Sequence, residues 1–203
     1  MIIFVSQKQH FNEDYHETYD VLDRRWLFFL SCCEIVPILI PNHKALVEKY
    51  INMSLGKGIL LTGGSESAER EEVETMLLEY AIKNSIPVIG VCHGMQLIQR
   101  YFGAELEAVE GHVSERQEVL IHGTWGQVNS YHQYGTRKKH PDFDVWAISK
   151  DYVVKAIKHK KYNISGMMWH PERLQPFNKR DLLFFEKTFR NSVSHANYTE
   201  FLP

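Results

Sequence analysis

A cysteine at the end of an apolar run constrains this chain more than any other feature. Pro87-Val88-Ile89-Gly90-Val91 leads into Cys92, and His93-Gly94-Met95-Gln96-Leu97-Ile98 begins an amphipathic stretch. The pattern G-x-C-x-G predicts a strand, a sharp turn and a helix. Both glycines serve the turn, because its neighbours must approach without Cβ atoms. Such a nucleophile elbow places the thiol at a helix N-terminus, where the dipole and free N–H groups favour thiolate. A buried structural cysteine requires none of this.

The residues around the elbow alternate between strand and helix patterns. Ile2 to Ser6 reads as a strand, His16 to Cys32 as a helix and Ile35 to Ile40 as a second strand closed by Pro41. Asn42 is expected to cap a helix running to about Met53, and Gly58 to Thr62 reads as a buried strand. Ala68 to Asn84 is the next helix, with Met76, Leu77, Tyr80 and Ala81 on one face. This order predicts an α/β fold of three layers, a mostly parallel central sheet with helices on both faces. Ligands of such sheets sit beyond the strand C-termini, where both Gly63-Gly64 and Cys92 fall. After Gly103 the pattern shifts to shorter strands at Glu118 to His122, Val145 to Ile148, Tyr152 to Ile157 and Ile164 to Trp169. A last helix from about Asn178 to Asn191 closes one domain spanning residues 1 to 203.

Bulk properties exclude several classes of protein. With 203 residues and 44% apolar content the chain can bury one sizeable core. A formal charge of −2 argues against nucleic acid as a partner, which calls for a concentrated basic excess. No stretch approaches the roughly 20 apolar residues that span a bilayer. Met1 to Val5 also lacks the pattern of a signal peptide, so a cytoplasmic protein without membrane contact is expected. Cys32, Cys33 and Cys92 make no C-x-x-C pair and no disulfide framework. Cys32 and Cys33 end a helix and read as core filler, as do Trp26, Phe28 and Phe29, with Arg24 and Arg25 as surface charges.

Two further motifs supply what a cysteine nucleophile needs. Met167-Met168-Trp169 runs into His170-Pro171-Glu172, and residues two apart on a strand share a face, so His170 and Glu172 are expected to point at one site. An imidazole oriented by a carboxylate is the base for such a thiol. Leu61-Thr62-Gly63-Gly64-Ser65 opens a buried strand into two glycines, a loop able to aim N–H groups at a developing oxyanion together with the N–H of His93.

The T-G-G-S-E-S loop at Thr62 to Ser67, the elbow at Gly90 to Gln96 and H-P-E at His170 to Glu172 occur in one order over most of the chain. Together they resemble the class I glutamine amidotransferase family, with its flavodoxin-like fold. That resemblance implies Cys92 as nucleophile, His170 as general base and acid, and Glu172 as its orienting partner. It implies an oxyanion hole from Gly64 and His93, and a substrate pocket drawing on Gly63, Gln96, Ser130, Tyr131 and His132. Val128-Asn129-Ser130-Tyr131-His132-Gln133 resembles the V-N-S-x-H-H-Q segment of the γ-glutamyl hydrolase branch, also called the peptidase C26 branch. Arg70-Glu71-Glu72-Val73-Glu74 resembles that branch's R-D-x-x-E helix start. Gln133 and His93 depart from the pattern, where the branch has a second histidine and an arginine. The resemblance implies a small-molecule γ-glutamyl substrate, with neither metal nor organic cofactor. It leaves two readings open, a standalone hydrolase and a glutaminase subunit that serves a separate synthase; outside them stands a non-catalytic or redox protein built on the same elbow fold.

The remaining histidines and basic runs read as surface features. His112, His122, His132 and His140 lack the spacing of a metal site, although His112 and His132 are candidates to line the pocket. Arg137 to His140 and Lys158 to Lys161 read as solvated turns. Their functional alternative is an anion patch for a nucleotide-linked leaving group.

Overall fold

The structure, a computed structural model, describes residues 1–190. β1 (Ile2–Ser6) is an apolar strand, after which the chain turns out into a hairpin, β2 (Lys8–Asn12) and β3 (Glu17–Val21). α1 (Arg25–Cys32), β4 (Val36–Ile40), α2 (Lys44–Asn52) and β5 (Ile59–Leu61) follow. α3 (Ala68–Asn84), β6 (Val88–Val91) and α4 (His93–Tyr101) complete the alternating half. The β-rich half comprises β7 (Glu107–Ala108), β8 (Val113–Ile121), β9 (Thr124–Tyr131) and β10 (Tyr134–Gly135). It continues with β11 (Phe143–Ser149), β12 (Val154–His159) and β13 (Ile164–Met167). A 3₁₀ turn at Pro171–Arg173 and α5 (Lys179–Arg190) come last. The expected end of that helix, Asn191, lies outside the described residues.

One nine-stranded sheet, ordered β4-β1-β5-β6-β13-β12-β11-β8-β9, organises these elements. Its first five strands pair in parallel and the remaining pairs are antiparallel. Within the parallel five the order is second, first, third, fourth, fifth, the doubly wound arrangement whose ligands sit at strand C-termini. α1 and α5 cover one face through Trp26, Phe29, Leu30, Phe185 and Phe189. α2, α3 and α4 cover the other through Val47, Leu77, Ala81, Met95 and Ile98. The fold is therefore the expected three-layer α/β arrangement, with the antiparallel strands as an extension of the sheet. Among the described residues no helix is long and apolar enough to cross a membrane.

Three local expectations fail for identifiable reasons. The helix expected over 16–32 begins only at Arg25, because Glu17–Val21 pairs with Lys8–Asn12 instead. Asn42 does not cap α2, whose N-cap is His43 without a side-chain bond. Its amide donates to the Gln7 carbonyl at 3.0 Å and to Asp20 Oδ1 at 2.7 Å, tying the β2–β3 hairpin to the start of α2. Phe28 and Cys32 lie on the exposed face of α1, whereas Trp26, Phe29 and Cys33 pack inside.

Candidate active site

Cys92 stands at the junction of β6 and α4 with φ 51° and ψ −104°, a positive φ that a non-glycine residue rarely adopts. The two glycines explain how the strain is tolerated. A Cβ on Gly94 would lie 2.2 Å from the Leu61 carbonyl oxygen, and one on Gly90 would lie 2.7 Å from the Gly94 carbonyl. Backbone thus packs directly on backbone around the turn. The Cys92 N–H donates to Met167 O at 2.8 Å, which fixes the elbow to β13.

His170 and Glu172 meet beside it, although not by strand alternation. β13 ends at Met167, His170 is extended at the N-cap of the 3₁₀ turn, and Glu172 lies within that turn. Pro171 sits at the first position of the turn, where its missing N–H is harmless. His170 Nδ1 donates to Glu172 Oε1 at 2.8 Å, which leaves Nε2 for the thiol. Burial opposes charge on this ring, but the Cys92 thiol and the Glu172 carboxylate outweigh it and raise the imidazole to about 9. Gly63 packs under the ring, since a Cβ there would lie 2.4 Å from His170 Cε1.

The Asn129 side chain holds the His170 backbone from both sides. His170 N donates to Asn129 Oδ1 at 2.7 Å, and Asn129 Nδ2 donates to His170 O at 2.8 Å. The V-N-S segment contains Asn129 but gives no hint of this role, because its partner lies 41 residues away.

A buried network supports the floor of the site. Arg70 and Glu74, one turn apart on α3, are both fully buried and joined at 2.9 Å. Arg70 donates to Thr62 O at 2.6 Å and Ser65 O at 2.8 Å, bracketing Gly63-Gly64. Glu74 Oε2 accepts from His93 Nε2 at 3.0 Å, and its Oε1 accepts from Ser6 Oγ at 2.6 Å. Burial raises the Glu74 carboxyl, but His93 and Arg70 prevail and hold it below its ordinary value. Charged residues at the start of a helix ordinarily read as solvent-facing, so only the motif pointed at them.

The proposed substrate-pocket residues fall in two groups. Gln96 Nε2 and His132 Nδ1 both donate to the Tyr134 carbonyl, at 2.9 Å each. His132 Nε2 therefore accepts from Lys155 Nζ at 2.6 Å, and Ser130 Oγ stands 3.1 Å from the same ammonium. Lys155 is almost fully buried, and no motif flagged it. Burial lowers it to about 7 against the raising influence of Asp151 and Cys92. Tyr131 is partly exposed, and its ring lies edge-on to His170 at 5.9 Å. On the His170 side, Lys8, Thr62, Gly63, Gly64, Glu172 and Arg173 contribute to a cavity of about 40 Å³.

Other surface expectations need correction. His112 and His132 are buried with their rings 5.0 Å apart, and His112 Nε2 lies 3.1 Å from Asp151. His122 is exposed and stacks on Trp146. Lys158 and His159 end β12 rather than forming a turn, and His159 packs among Phe102, Phe143 and Tyr162. The other basic run is engaged with acids: Arg137 with Glu107 at 2.8 Å and Asp151 at 3.1 Å, Lys138 with Glu105 at 3.3 Å.

Known proteins are similar to this chain over most of its length. Residues 30–188 match the family model for glutamine amidotransferase class-I. The chain is 28% identical over 194 residues to the γ-glutamyl-CDP-amidate hydrolase of Campylobacter jejuni, covering 90% of this chain and 96% of that protein. It is 31% identical over 153 residues to one subunit of the glutamine-hydrolysing GMP synthase of Methanococcus maripaludis, covering 70% and 78%. A solved structure of a GMP synthase subunit from Thermoplasma acidophilum superposes with a TM-score of 0.71 at 18% identity, over 95% and 96% of the two chains.

Proposed function

The chain belongs to the class-I glutamine amidotransferase family, and from that premise we propose that it is a standalone hydrolase of a γ-glutamyl amide. The observation that carries the reading is His170, bonded to Glu172 at 2.8 Å just after β13, the strand to which the Cys92 elbow is tied through Met167. In this reading the Cys92 thiolate attacks the γ-carbonyl carbon and forms a tetrahedral intermediate. The backbone N–H groups of Gly64 and His93 hold its oxygen, and His170 passes its proton to the departing nitrogen. Water activated by the now neutral His170 cleaves the γ-glutamyl thioester and releases L-glutamate. These steps need neither metal nor organic cofactor. One domain over residues 1–203 would carry them.

The imidazole must touch the nitrogen it protonates, so the leaving group lies on the His170 side of Cys92. The glutamyl group then lies toward Gln96, Ser130, Tyr131 and His132. For the leaving group we propose cytidine diphosphoramidate, with γ-L-glutamyl-CDP-amidate as substrate. Support comes from the Campylobacter hydrolase, which aligns along nearly its whole length, and from Lys8 and Arg173 beside the cavity at His170. Arg137 and Lys138 are poorer candidates for the anion because they lie outside the lining of that cavity and are held by Glu107, Asp151 and Glu105.

A second reading, a glutaminase subunit delivering ammonia to a separate synthase, draws on the GMP synthase components found within the set of relatives. Glutamate release separates the two. The purified protein, beside Cys92→Ala, would be offered glutamine, γ-glutamyl amines and γ-glutamyl-CDP-amidate. Cys92-dependent turnover of a substituted amide far above glutamine is expected. Silence on all of them, or activity on glutamine alone, would favour the synthase component.

A further inference from the structure

The two N–H groups proposed to hold the oxyanion come from different segments, Gly64 in the loop after β5 and His93 at the start of α4. For both to aim at one oxygen, their relative position must hold to within about half an ångström. The loop has no regular structure of its own, and Gly64 adopts φ 126°.

Both segments are fastened to adjacent turns of α3. The Arg70 guanidinium bonds the carbonyls of Thr62 and Ser65, the residues flanking Gly63-Gly64. Its Nε bonds Glu74 Oε1 at 2.9 Å, and Glu74 Oε2 bonds the His93 ring at 3.0 Å. Ser6 Oγ, which donates to Glu74, accepts from Thr62 N at 2.9 Å and closes the circuit. Arg70 and Glu74 are 0% exposed. A buried ion pair is a poor stabiliser compared with a well-packed apolar pair, but its directional bonds fix geometry well.

Resting on the hydrolase reading for its chemistry, we infer that Arg70 and Glu74 are positioning residues, a buried clamp that sets the spacing of the Gly64 and His93 N–H groups. His93 takes part through its side chain as well as its backbone. A histidine fits here because its Nε2 reaches Glu74 Oε2, the carboxylate oxygen that the Arg70 and Ser6 bonds leave free.

The test compares two reactions of the same thiol. With p-nitrophenyl acetate, the Cys92 thiolate adds to the carbonyl, places charge on its oxygen and expels p-nitrophenolate. With iodoacetamide, it displaces iodide and no oxyanion forms. Glu74→Gln keeps the shape of the side chain, and Arg70→Lys keeps the charge but loses the planar fork that reaches two carbonyls. Each variant is expected to slow Cys92-dependent p-nitrophenolate release by about 10-fold to 100-fold while alkylation stays within about threefold of wild type. The double variant should be no slower than the slower single, as for residues acting as one unit. Equal loss of both reactions, or loss of neither in folded protein, overturns the clamp. A wild type without Cys92-dependent acylation removes the hole and the clamp together. Selective loss of acylation in a protein that releases no glutamate from γ-glutamyl amides would keep the clamp and sink the hydrolase reading.

Discussion

Two buried bases flank Cys92, and pH moves them in opposite senses. His170 has a raised pKa, so the stability it contributes is fully present below its ordinary value of 6.5 and is lost as pH rises through about 9. If it also protonates the leaving nitrogen, kcat/KM should fall along an alkaline limb near pH 9. Glu172→Gln removes one of the groups that raise the ring, so the limb should move to lower pH. A limb that stays in place in Glu172→Gln would detach His170 from that step. Lys155 runs the other way. Its folded value, about 7, lies below the ordinary 10.5, so the unfolded chain binds more protons between those values and stability rises with pH across that window. Melting temperatures of wild type and Lys155→Met, measured from pH 6 to 10, should shift in favour of wild type as pH rises. A constant difference would show that the amine does not titrate in the folded protein.

At the scale of elements, much of the site was legible in the sequence. α3 begins and ends at the expected residues, because Ser67 accepts from Arg70 N, Glu69 and Glu71 lie in the first turn and Lys83 in the last. The elbow was equally legible, since G-x-C-x-G specifies its own backbone. The β2–β3 hairpin was not, because its alternation is weak and much of its surface is exposed. The burial and roles of Arg70, Glu74 and Asn129, which motifs contain, and of Lys155, which no motif flags, were hidden for a different reason. Each is a polar residue buried by partners on distant segments, which no local period encodes. The hairpin matters because Lys8 reaches the proposed oxyanion loop: a Cβ on Gly64 would lie 2.8 Å from Lys8 Cδ. We predict that Lys8→Ala raises KM several-fold for a γ-glutamyl substrate with a diphosphate leaving group and spares a neutral γ-glutamyl amide. Neutralising Arg137 and Lys138 should affect both substrates alike. The reverse pattern would move the leaving group to that run.

On the scale of the whole molecule, the two halves of the sheet divide the work. The parallel half brings Gly63, Gly64, Cys92 and His170 to one edge, the C-terminal ends of β5, β6 and β13. The antiparallel half contributes none of the proposed catalytic residues Cys92, His170 and Glu172, yet β9 supplies Asn129 and Ser130, and β12 supplies Lys155. Asn129 links the halves most directly, because both of its bonds go to the backbone of His170. Asn129→Ala leaves the buried His170 N–H without a partner, while the His170 carbonyl keeps the Arg173 N–H at 3.2 Å, and one such unpaired group ordinarily costs about 1–3 kcal/mol. The variant should therefore melt several degrees lower than wild type. At temperatures where it stays folded, kcat should fall while iodoacetamide still alkylates Cys92 at nearly the wild-type rate, because the elbow is held independently through Met167. An active Asn129→Ala with lowered stability would make the antiparallel half a structural buttress alone. Loss of activity in the folded variant would mean that the orientation of His170 is set from across the sheet.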